Sequence, residues 1–128
     1  MKLKLFLSLF LFILAHYVIF SVALSDVSGS PIAAITSNYF MHFLTFFGLS
    51  FLFSLILVIS EKYIKYPFTI SFLYSVFIAV LVEMLQISTT KTRFFSYLDI
   101  LAGTLGASVY SILGIVAYNF HLFEKYWK

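Results

Sequence analysis

Four uninterrupted apolar runs, at about 3–24, 39–60, 67–87 and 97–120, limit what this chain can become. Each holds roughly the 20 residues that an α-helix needs to cross a hydrocarbon core of ~30 Å. The runs are continuously apolar rather than alternating, which argues against the strands of a membrane barrel. Of 128 residues, 62% are hydrophobic and only 10% charged, too little charge to cover a water-soluble domain of this size. The 17 phenylalanines point the same way. The expected fold is all-α: one polytopic membrane domain over 1–128, with four transmembrane helices in a bundle.

Basic residues predict the orientation, because short cytoplasmic loops carry an excess of Lys and Arg. Lys2 and Lys4 precede the first run, Lys62 and Lys65 separate the second from the third, and Lys125 and Lys128 follow the fourth. Both termini are then cytoplasmic, and the first and third loops face outward. Tyr63, Tyr66, Tyr126 and Trp127 suit an inner aromatic belt, with Tyr39 and Tyr97 at the outer interface. The first run has a rival reading as a cleaved signal peptide, with Ser21-Val22-Ala23 as a small-x-small site. Its apolar stretch is longer than a usual signal core, and the other three helices keep their orientation either way.

Several function classes drop out. Without cysteine there is no disulfide, thiolate metal site or cysteine nucleophile. No basic tract suits nucleic acid. No HExxH, P-loop or GxSxG pattern occurs.

What remains is a set of polar side chains expected at one depth. Glu83 lies about a turn below the outer end of the third helix, with Gln86 on the same face at i+3. Asp99 opens the fourth helix, and His42 lies about a turn inside the second. Lys91 and Arg93 depart from the basic-inside bias and occupy the second outer loop. A charge within a membrane span is costly, so Glu83 must be protonated, paired with Arg93 or His42, or reached by water. Blander roles exist for each: a helix cap for Asp99, a headgroup anchor for Arg93, an interfacial histidine for His42, and a structural Glu83–Arg93 bridge. His42, Glu83 and Asp99 are metal-ligating types, but no short His/carboxylate motif joins them, and no metal or other cofactor is expected.

Small residues mark the faces that pack. Ser71, Ser75, Ala79 and Glu83 recur at i+4 on the third helix. The fourth carries Ala102, Gly103, Gly106, Ala107 and Ser111, and Gly48 adds a small residue to the second. Such residues let helices approach closely in lipid, leaving Phe and Leu to face the acyl chains. His16, midway along the first helix, is expected to donate a hydrogen bond between helices.

These residues together resemble the VanZ-like family of small membrane proteins. Asn38-Tyr39-Phe40-Met41-His42-Phe43 is similar to that family's Asp-Lys-x-x-His-Phe entry into the second helix. Glu83-Met84-Leu85-Gln86 matches Glu-x-x-Gln, and Arg93 and Asp99 match its Arg and Asp six residues apart. Leu101 to Ala107 continues like its Asp-x-x-x-Asn-x-x-Gly run. The resemblance covers about Asn38 to Gly114 and departs twice: Asn38-Tyr39 replaces an acidic-basic pair, and Gly103 stands where the family usually has Asn. The retained positions are His42, Glu83, Gln86, Arg93 and Asp99. The family is named for a protein associated with resistance to the glycopeptide teicoplanin, so the resemblance implies a cell-envelope or antibiotic-resistance setting.

The leading expectation is a polar pocket open to the outer leaflet that recognises an amphiphile or lipid headgroup. Arg93 binds its anionic group, Glu83 and His42 its polar part, Asp99 orients Arg93, and Gln86 completes the donors and acceptors. The partners expected are a membrane lipid or amphiphile, with a homo-oligomer or another membrane protein as further candidates. The expected location is the bacterial cytoplasmic membrane. One alternative is an enzyme acting on a lipid-linked envelope substrate, with Glu83 or His42 as general base. Another is a structural membrane subunit.

Overall fold

Each apolar run becomes a helix in the computed structural model of the chain, which describes residues 2–24, 38–60, 64–90 and 94–120. Helix α1 is Lys2–Ala23, α2 Tyr39–Ile59, α3 Pro67–Thr89 and α4 Tyr97–Asn119. All four are long and apolar enough to cross a membrane. No strand occurs among the described residues.

Local chemistry sets the helix ends. Asn38 stands extended before α2, and its side-chain oxygen accepts the Phe40 N–H at 2.8 Å. Pro67 opens α3, where a missing N–H leaves no broken bond. That helix runs past its expected end at 87 to Thr89. The hydroxyls of Ser88 and Thr89 donate to the Leu85 carbonyl at 3.0 and 2.7 Å, and Thr90 donates to Gln86 at 2.7 Å. These polar residues therefore satisfy the helix end rather than breaking it.

The interior reverses the pattern of a water-soluble core. Ser50, Ser54, Ser71, Ser75 and Ser111 are buried, while large side chains such as Phe6, Leu73, Phe77 and Ile112 are exposed. Hydroxyls join the helices directly. Ser50 on α2 donates to Ser75 on α3 at 2.7 Å, and Ser111 on α4 donates to the Phe68 carbonyl on α3 at 3.1 Å. Ser54 on α2 pairs with the Tyr110 hydroxyl on α4. Phe46, Leu49, Ile78 and Val82 fill the space beside this seam. Between apolar helices in lipid, such bonds and close packing replace the hydrophobic drive.

Helix α4 lies most extensively on α2 and next on α3, whereas α1 rests mainly on α2. Three glycines set the closest approaches of α4, Gly114 against the Phe68 ring of α3 and the other two against α2. A Cβ on Gly106 would collide with the Phe43 carbonyl oxygen of α2, and one on Gly103 would press into the Phe46 ring. Gly48 differs from expectation: a Cβ there would meet nothing within 4 Å. It is partly buried yet leaves room for a methyl group, so its small size serves no close approach among the described residues.

His16 also corrects an expectation. Its Nδ1 lies 2.8 Å from the Phe12 carbonyl oxygen, which can only accept, so Nδ1 carries the proton. In the neutral imidazole its Nε2, 2.7 Å from the Tyr74 hydroxyl, is then the acceptor. The bond joins α1 to α3, but Tyr74 donates it. Stacked Phe12 and Phe53 rings, 5.4 Å apart, lie beside this contact.

Candidate functional site

Alternating helix directions bring the start of α2, the end of α3 and the start of α4 to one end of the bundle. His42 is in the first turn of α2, Asp99 in the first turn of α4, and Glu83 in the last two turns of α3. One potential ligand atom from each lies within 4.8 Å of the other two. His42 Nε2 and Asp99 Oδ2 are 3.6 Å apart, close enough for an ion pair when the imidazole is protonated but too far for a good hydrogen bond. Their side chains retain 15% and 16% of their exposure, while Glu83 is 2% exposed. Gln86, one turn beyond Glu83, is also buried. Arg93 and Lys91 lie outside the described residues.

The start of α4 determines how the two carboxylates are used. Ser96 is the N-cap, and its hydroxyl accepts the Asp99 N–H at 3.2 Å. In a complete capping box the acidic residue at the third helical position reaches back to the N-cap N–H. Here Glu83 Oε2, arriving from α3, accepts the Ser96 N–H at 3.1 Å instead. Glu83 thus latches α3 to α4 and sets a carboxyl oxygen at the positive end of the α4 dipole. Asp99 is released from its local duty and turns its carboxylate toward His42. Asp99 Oδ1 is buried and has no hydrogen-bond partner among the described residues.

Three of the five expected site residues therefore converge, and Gln86 extends the buried polar face by one turn. Ser96 is the participant that sequence reasoning overlooked. The Ser-x-x-Asp spacing of a capping box was its available signal. With one imidazole nitrogen and two carboxylates, the cluster has the chemistry to hold a cation or the donor groups of a polar ligand. Comparison with known proteins adds no relative: no protein-family model, curated protein or solved structure matches the chain.

Proposed function

We propose that this chain is a VanZ-like integral membrane protein that recognises an amphiphile or lipid headgroup at the outer leaflet, in a cell-envelope or glycopeptide-resistance setting. The observation that carries the reading is the convergence of His42, Glu83 and Asp99 from three helices at one end of the bundle. In lipid, ionisable side chains kept within helix termini without a purely local role suggest a functional site. Four apolar spans and the basic residues at 2, 4, 62, 65, 125 and 128 support insertion in the bacterial cytoplasmic membrane with both termini inside. On this topology the cluster opens outward, and Arg93 in the adjoining loop supplies charge-assisted bonds to an anionic group.

The test is photo-crosslinking of native lipids from a photoactivatable residue at Thr92. Replacing Arg93 by Ala and Glu83 by Gln together is expected to abolish the labelling. Labelling unchanged in that double variant removes the reading.

A catalytic reading, with Glu83 or His42 as general base, draws on the gathering of His42, Glu83 and Asp99 ligand atoms within 4.8 Å of one another. It predicts that Glu83→Gln stops turnover of a lipid-linked substrate while binding persists.

A further inference from the structure

The polar cluster contains the ingredients of a metal centre, and we propose that His42, Glu83 and Asp99 bind a first-row divalent cation of the zinc type. This rests on the three side chains themselves and not on the headgroup reading. Each offers one ligand atom, and the three lie mutually within 4.8 Å. Around a tetrahedral ion with ligands at about 2.0–2.1 Å, neighbouring ligand atoms are about 3.3 Å apart. The His42 Nε2 to Asp99 Oδ2 distance, 3.6 Å, is already close to that edge. The remaining ligand, Glu83, offers an oxygen within 4.8 Å of a ligand atom on each of the other two.

A second observation comes from Asp99. Its Oδ1 is buried without a hydrogen-bond partner among the described residues, an arrangement that favours a ligand. The site has outer support as well. The Ser96 N–H donated to Glu83 Oε2 at 3.1 Å holds that carboxyl group in place, as hydrogen bonds to metal ligands do.

The donor set chooses the class of ion. One imidazole nitrogen and two carboxylate oxygens suit zinc, cobalt, manganese or ferrous iron, whereas calcium and magnesium take six or more oxygens. Three protein ligands leave a fourth position for an oxygen donor, either water or an anionic headgroup oxygen.

The experiment uses the full chain in detergent, titrated with Co2+ and then with Zn2+. One Co2+ per chain should bind, with visible bands of four-coordinate intensity that Zn2+ abolishes and excess Mg2+ leaves unchanged. His42→Ala and Asp99→Asn should each weaken binding by at least about tenfold. No saturable band, displacement by Mg2+, or unchanged affinity in both helical variants overturns the proposal. Should a variant fail to fold, the unaltered protein decides: Zn2+ must raise its thermal midpoint and a chelator must reverse the rise. No such rise overturns the proposal. Intact cobalt bands with lipid labelling indifferent to Arg93 would remove the headgroup reading alone, and the converse would remove only this one.

Discussion

At Glu83 a buried carboxylate takes over the N–H that Asp99 would hold in a complete capping box, and both residues change role. Removing it should cost more than neutralising it. Glu83→Ala leaves the Ser96 N–H unsatisfied and is expected to lower stability by about 1–3 kcal/mol. Glu83→Gln retains a carbonyl oxygen for that N–H and should lose less. Unfolding in detergent followed by helix signal separates the two, and equal losses would contradict the latch. Tyr74→Phe tests another single bond, the hydroxyl donated to His16. The expected loss is about 0.6 kcal/mol, the average for such bonds between membrane helices. That His16 bonds across helices was legible in the sequence. The direction of its bond was not, because the tautomer is fixed by the Phe12 carbonyl one turn earlier.

Among the elements, α2 and α4 make the closest contact, and their glycines behave in opposite ways. Gly106→Leu should force the helices apart and cost about 1–3 kcal/mol, as overpacking does. Gly48→Ala meets open space and should be neutral or stabilising by up to about 1 kcal/mol, since alanine favours the helix. Thermal unfolding of both variants checks the pair, and a larger loss at Gly48 would contradict the assigned packing. The count and approximate bounds of the helices follow from length and apolarity, which a sequence displays directly. The buried face of α3 is equally legible, because Ser71, Ser75, Ala79 and Glu83 recur at i+4 and all are buried. Helix α2 is apolar on every side, so nothing in its sequence tells Gly48 from a packing glycine. Its interior is marked by Ser50 and Ser54, whose partners on α3 and α4 appear only once the helices are assembled.

For the whole molecule, the alternating spans carry distant residues to one end, and the site exists only through that arrangement. The shared depth of His42, Glu83 and Asp99 could be read by measuring each from its helix end. Their fitness to ligate one ion could not, because no two belong to one helix and no short motif links them. The proposed orientation makes a separate prediction. The chain has no cysteine, so Ser30→Cys, Lys62→Cys and Thr92→Cys each introduce a single thiol. A maleimide that cannot cross membranes, added outside intact cells, should label the first and third of these. Lys62→Cys should react only after permeabilisation, and the reverse pattern would put the cluster at the inner surface.

The central claim is that α2 and α4 begin side by side with His42 facing Asp99. Its most direct measurement is cross-linking of the His42→Cys/Asp99→Cys pair by a short bifunctional thiol reagent, compared with a His42→Cys/Ile112→Cys pair. The account predicts efficient intramolecular cross-linking of the first pair and little of the second. Equal yields from the two pairs would contradict it.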